Sequence, residues 1–283
     1  MQISRRQFAQ LAAAAPLLAQ QTPLTAQQVV ERIQKSLGAW LPNTLDGFKA
    51  GDPATAITGI ATTAMATLDV LGRAVKEKAN LIITAEPVFY SRTEGPPLTG
   101  ADDPVYAAKK DFIQKNGLVV WRFADNWRAR KPDPFAVGLG RTLGWTKYQK
   151  DGPSQYDLPA ATLASLADAL AKGLNARAGI RVVGDPQSVV RRVALLPGLS
   201  ALPATVGLLP DCDVVIAGEV REWESVEYAH DTVAAGQKKG LIMLGRLLSL
   251  EPGMSECATW LKTVVPEVSV RSLPAGDPYW RRA

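Results

Sequence analysis

Histidine is almost missing from this chain: of 283 residues only His230 is one. There is no Gly-x-Ser-x-Gly elbow either, so a conventional nucleophilic triad is disfavoured. His230 falls in a helical stretch between Glu227 and Asp231, where it reads as a solvated or ion-paired side chain rather than a base. Cysteine is scarce as well. Cys212 and Cys257 have no Cys-x-x-Cys or Cys/His spacing around them, which excludes a thiolate zinc site. An oxidising compartment would permit a bridge between them, and two separate buried thiols are the equal alternative. Apolar runs stay well short of the roughly 20 residues a membrane span requires. Charge is modest, with a formal net of +5. The densest basic patch, Arg128, Arg130 and Lys131 beside Trp127, reads as a solvated loop ahead of Pro132 rather than a nucleic-acid footprint. Gly138-Leu139-Gly140 with Gly144 lies inside an expected helix, not at a strand-to-helix turn, so it is a poor dinucleotide loop.

What is present begins with Ser4-Arg5-Arg6-Gln7-Phe8, followed by the short apolar run Leu11 to Ala19 and polar Gln20-Gln21. That pattern predicts a twin-arginine export signal over residues 1–21 and a mature protein in the periplasm or another extracytoplasmic space. Beyond it, β-branched runs alternate with amphipathic stretches, the pattern of an α/β (α+β) layered fold. Strands are expected over Ile57 to Ala64, from Leu81, and over Leu118 to Phe123, Ile180 to Val183, Val189 to Leu196, Asp213 to Ala217 and Gly240 to Leu244. Helices are expected with Leu68, Leu71 and Val75 as an inner stripe, over Val105 to Lys115, along Leu163, Leu166, Leu170 and Leu174, over Trp223 to Ala235, and along Met254, Cys257, Trp260, Leu261 and Val264.

The chain also matches itself. Gly51-Asp52-Pro53 leads at fixed steps to Ile57, Ile60 and Ala61, and Gly184-Asp185-Pro186 leads at the same steps to Val190, Val193 and Ala194. Asn80 to Glu86 lines up with Asp213 to Glu219 at the same interval of 133 residues. A Gly-Asp-Pro turn that launches a strand is common alone; two of them, each followed by a strand ending in glutamate at one interval, indicate internal duplication. The expected organisation is a first lobe over 22–150 and a second over 151–283, joined by the Gly- and Pro-rich stretch from Lys147 to Pro159.

In open α/β sheets functional groups gather outside the carboxyl ends of the strands. Here those ends supply Glu86, Asp125, Glu219 and Gly245-Arg246. Across Asn80 to Tyr90, Val120 to Trp145, Gly184-Asp185-Pro186, Gly218-Glu219-Val220, Leu244 to Leu261 and the ending Pro274 to Trp280, the chain resembles the Nif-three-like (NGG-interacting-factor-like) proteins. These are also labelled dinuclear metal-centre hexameric proteins or GTP cyclohydrolase I type 2. The resemblance implies two similar α/β lobes, a homotrimer or homohexamer, and two divalent ions held between the lobes by histidines and carboxylates.

The departures from that pattern fall on the implied ligands. Ala85 stands where the family has histidine, leaving Glu86; the next strand end has Ala124, Asp125, Asn126 and Arg128 where histidines surround an aspartate; the histidine expected near Glu222 is missing; and the late Gly-His-x-x-Ser-Glu motif reads Gly245-Arg246-Leu247-Leu248-Ser249-Leu250, with Glu251 next to it. Two ions need several donors each at closely fixed distances, so the expected protein is a metal-free pseudo-enzyme without cofactor. It would keep the oligomeric shell and an anion-binding cleft of Glu86, Asp125, Asn126, Arg128, Arg246 and Glu251. Two outcomes are open for the arginines: they pair with Glu86 and Asp125 where cations once sat, or they extend into solvent. The alternative function is a metal-dependent hydrolase of nucleotide-like or phosphorylated substrates, with one zinc, iron or manganese ion on Glu86, Asp125 and Glu251. A third class is an envelope protein with no small ligand.

Overall fold

The computed structural model describes residues 23–280 apart from 94–99, 101, 151 and 153. The expected signal over 1–21 and the basic Arg281-Arg282 lie outside the described residues. Helix α1 (Ala26–Leu37) opens with a capping box between Thr25 and Gln28, and β1 (Gly47–Ala50) follows it. Then come β2 (Ile60–Thr63), α2 (Leu68–Lys76), β3 (Leu81–Thr84), α3 (Pro104–Lys115), β4 (Val119–Arg122), the short α4 (Asp125–Ala129) and α5 (Pro134–Thr142). The second half runs β5 (Gln155–Thr162), α6 (Leu163–Gly173), β6 (Arg181–Val183), β7 (Val189–Leu199), α7 (Leu202–Leu208), β8 (Val214–Glu219), α8 (Glu227–Ala234), β9 (Gly240–Met243), α9 (Arg246–Val264) and β10 (Val270–Ser272). Among the described residues no helix is long and apolar enough to cross a membrane.

Two five-stranded sheets result, ordered β1-β4-β3-β2-β10 and β5-β7-β8-β9-β6. In each, three central strands run parallel and an antiparallel strand, β1 or β6, lies beside the last of them. The duplication is written in the hydrogen bonds. The Thr55 amide donates to the Asp52 carbonyl and the Ala54 amide to Asp52 Oδ1; the Ser188 and Gln187 amides do the same to Asp185, and both sets lie 133 residues apart. Asn80 Oδ1 receives the Thr58 amide as Asp213 Oδ2 receives that of Arg191. Through strand pairing Leu81↔Val119 and Val214↔Gly240, the interval becomes 121 by the third parallel strand, so Asp125 corresponds to Arg246.

Side-chain alternation gives each sheet two buried faces. Leu81, Ile83, Val119 and Trp121 face α1 and α9, whereas Ile82 and Val120 face α2 and α3. In the second sheet Val214 and Ile216 meet α6, and Val215 and Ala217 the opposite layer.

Several expectations need correction. Leu68 and Val75 are exposed, and α2 turns Val70, Leu71 and Ala74 inward instead, because the cap at Thr67 places Leu68 in the first turn over a cleft. The stretch from Trp223 begins as a π-helical turn over Glu222–Val226 and only then becomes α8. The expected connector contains the start of β5. The division near residue 150 separates the two sheets, but the chain then returns: β10 pairs in parallel with β2, and Met254, Cys257, Ala258 and Leu261 of α9 fill the first lobe's core. An open edge at β2 and an uncovered apolar face are the physical reasons. Cys212 and Cys257 are both free and buried, in different parts of the fold.

Helices α5 and α9 touch backbone to backbone. A Cβ on Gly253 would lie 2.3 Å from Phe135 Cδ1, and one on Gly138 2.6 Å from the Pro252 carbonyl oxygen. The expected result of Gly253→Ala is a loss of about 2 kcal/mol through overpacking, measured by denaturant unfolding; a change within about 0.5 kcal/mol, ordinary for surface positions, would contradict this contact.

Candidate functional site

Where the carboxyl ends of β3 and β4 meet the start of α9, the lobes enclose a cleft of about 610 Å³. Ala85, Glu86, Ala124, Asp125, Arg128, Arg246 and Leu250 all line it, so seven positions scattered over 166 residues of sequence reach one wall. Its centre is an ion pair. Arg246 Nε donates to Glu86 Oε1 and Nη2 lies 2.8 Å from Glu86 Oε2, a two-pronged contact that suits a planar guanidinium. Arg246 Nη1 also lies 3.6 Å from Glu219 Oε2. Glu86 and Glu219 are equivalent in the internal repeat, and one guanidinium therefore faces the same carboxylate from each lobe. Glu86 is 7 % exposed, so its charge is compensated inside the protein rather than by water.

Backbone geometry holds this arrangement close. A Cβ on Gly218 would lie 2.2 Å from Ser249 Oγ and 2.5 Å from the Gly198 carbonyl oxygen, so only glycine lets β8, β7 and α9 converge beside Glu219. Ser249 Oγ accepts the Gly198 amide and donates to the Arg246 carbonyl, which fixes the first turn of α9.

Arg128 does not pair with Asp125. Its Nη1 meets Asp133 at 2.8 Å, its Nη2 donates to the Pro197 carbonyl in the other lobe, and its guanidinium lies over Phe135. Arg130 stacks on Trp127 and Trp260. Two members of the basic patch, Arg128 and Arg130, are thus held by the fold, while Lys131 is exposed as expected of a solvated loop. Asp125 and Asn126 pin the segment before β1: Asp125 Oδ2 accepts from Thr44 Oγ1 and the Leu45 amide, and buried Asn126 accepts the Leu41 amide. Asn126 is anchored behind the cleft and does not line it.

Glu251 and Glu222 also depart from expectation. Glu251 accepts the Ala275 and Ala64 amides and binds α9 to the ends of β2 and β10, with its carboxyl pushed by burial up to about 7. Glu222 is exposed, pairs with Arg181 at 2.5 Å, and borders a second hollow of about 940 Å³ that shares Met65 and Arg246 with the first. Two residues were missed. Asp46 accepts the amides of Ala124, Asp125 and Asn126 and so caps α4; its partners are about 80 positions away, with no local signal. Arg122, the one charged residue inside an otherwise apolar strand, carried a readable signal.

Among the described residues, the one grouping of three His, Cys, Asp or Glu ligand atoms near enough to share an ion is Glu227, His230 and Asp231, all exposed on α8. The cleft brings no such set together.

A duplicated, two-lobed α/β protein with a cleft at its strand ends is a recognisable structural class. The chain superposes on a Staphylococcus aureus protein, SA1388, with a TM-score of 0.70 at 14% identity, covering 92% of this chain and 100% of that one. A Bacillus cereus protein related to NIF3 gives 0.70 at 14% identity over 90% and 98%, and the Thermus thermophilus protein TTHA1606 gives 0.64 at 17% over 90% and 99%. No family model and no curated protein matches the sequence. The chain has the fold of the NIF3-related proteins.

The Glu251 carboxyl binds its proton more tightly in the folded chain than in the unfolded one. That contribution to stability is complete below the ordinary 4.5 and is lost as pH rises through about 7. The melting temperature of the wild type is expected to fall between these values more steeply than that of Glu251→Gln; parallel pH profiles would refute the assignment.

Proposed function

We propose that this protein is a metal-free pseudo-enzyme on the NIF3 fold, in which the Arg246 guanidinium stands where a cation would bridge the lobes and the cleft takes a small anion. The observation that carries this reading is the contact of Arg246 with Glu86 through two nitrogens, together with its approach to Glu219. A divalent ion placed there would compete with a fixed positive charge. The remaining wall offers methyl and isobutyl groups at Ala85, Ala124 and Leu250, which donate nothing to a metal. Anion binding is supported by charge: among the described residues the cleft is lined by Arg92, Lys109, Arg122, Arg128 and Arg246 against the carboxylates Glu86 and Asp125. The twin-arginine pattern supports export to the periplasm, and the likeness to the NIF3 fold supports a homo-oligomer, trimer or hexamer.

Metal analysis of protein purified without chelator is expected to find well under one equivalent of zinc, iron or manganese per chain, and two equivalents would overturn the proposal. Removing one partner of a largely buried pair leaves the other uncompensated. Arg246→Met is therefore expected to cost about 3 kcal/mol, much of it recovered in the double variant with Glu86→Gln; strict additivity in denaturant unfolding would count against the pair as the brace between lobes.

A further inference from the structure

Arg122 is a buried cation in the cleft with no ion-pair partner among the described residues. It is only 7 % exposed, at the carboxyl end of β4, on the same face as the core residue Val120. Nε donates to the Ala85 carbonyl and Nη1 to the Arg92 carbonyl, which fix the plane of the guanidinium. Among the described residues no carboxylate lies within ion-pair distance of it, and Nη2 is committed to no hydrogen bond. A desolvated charge without a counter-charge is costly, and an incoming anion removes that cost. The N-terminal turn of the nine-residue α2, at Thr67 and Leu68, lines the same cleft and adds the positive end of a helix.

Part of the cleft lining is apolar. Phe135 and Leu250 are buried, and Leu199 and Tyr90 are half exposed. Tyr90 holds a φ of +63°, a conformation unfavourable to a side chain; it lines the cleft, and its ring centroid lies 5.2 Å from Lys109 Nζ. A volume of about 610 Å³ suits a small organic molecule.

We propose that the cleft binds an organic monocarboxylate, with its carboxylate on Arg122 Nη2 and an apolar, ring-sized body against Phe135, Leu199, Leu250 and Tyr90. A monoanion is preferred to a phosphate at this subsite because Arg122 brings one charge with two of its nitrogens already used, while Arg246 and Arg128 are engaged by Glu86 and Asp133 and Lys109 by the Val88 carbonyl. This inference rests on the anion-binding reading of the cleft.

The test is calorimetric titration of the full chain with phenylacetate, acetate, phenylacetamide and inorganic phosphate. Phenylacetate is expected to bind about tenfold or more tightly than acetate or phenylacetamide, the first through apolar burial and the second through charge. Arg122→Gln is expected to lose about tenfold in phenylacetate affinity. Because that variant removes two internal hydrogen bonds, Leu199→Asp is made alongside it; it places a carboxylate on a half-exposed wall and should weaken phenylacetate about as much. Unchanged phenylacetate affinity in a folded Arg122→Gln or in Leu199→Asp would overturn the subsite. Phosphate binding as tightly as phenylacetate would overturn the carboxylate class while leaving an anionic cleft intact, whereas no binding of any anion would remove both readings.

Discussion

The structure depends on one charge placed between two others. Internal duplication necessarily puts a glutamate at the same strand end in each lobe, and both face the junction. Glu86 is buried and Glu219 half exposed, and the positive charge between them offsets their repulsion. In this chain the positive group is covalent. Arg246 grows from the first turn of α9, whose later turns carry Met254, Cys257 and Leu261 into the first lobe's core, so the bridging cation is anchored by the same helix that packs the lobes together. Duplication also makes the position of Arg246 equivalent to that of Asp125. The two halves have diverged to opposite charge at matched places, and the groove is no longer symmetric.

Much of this was legible in the residues. The Gly-Asp-Pro turns and the two glutamates at one interval forecast a repeat whose turn hydrogen bonds reappear at that interval, because turn chemistry and strand pairing are local and period-bound. Glu86, Asp125 and Arg246 could be collected into one cleft because all follow the ends of parallel strands, and Ala85, Ala124 and Leu250 joined them through the resemblance to the Nif-three-like proteins. The partner of each charge was not legible. Arg128 reached Asp133 and a carbonyl of the other lobe rather than Asp125, and Glu251 turned to two backbone amides rather than the groove, since rotamer choice depends on which unsatisfied groups the packed chain leaves nearby. Asp46 was invisible for the same reason: its role exists only once β1 lies against β4.

The scarcity of histidine also takes on a specific meaning in the fold. Among the described residues no histidine lines the groove, and His230 stands exposed on α8 beside Glu227. Glycine supplies a second constraint. Gly218, Gly138 and Gly253 mark where backbones come close enough to exclude a Cβ, and these contacts hold β7, β8, α5 and α9 in one block around the ion pair.

The return of the chain to the first sheet has a mechanical corollary. Because β10 is stitched beside β2 after the second lobe has been built, the lobes are laced together and are not two bodies on a single tether. Opening the groove would leave β10 on β2 but would have to lift α9, which packs on strands of both sheets, off one of them. The width of the groove is therefore tied to how a single helix seats on two sheets.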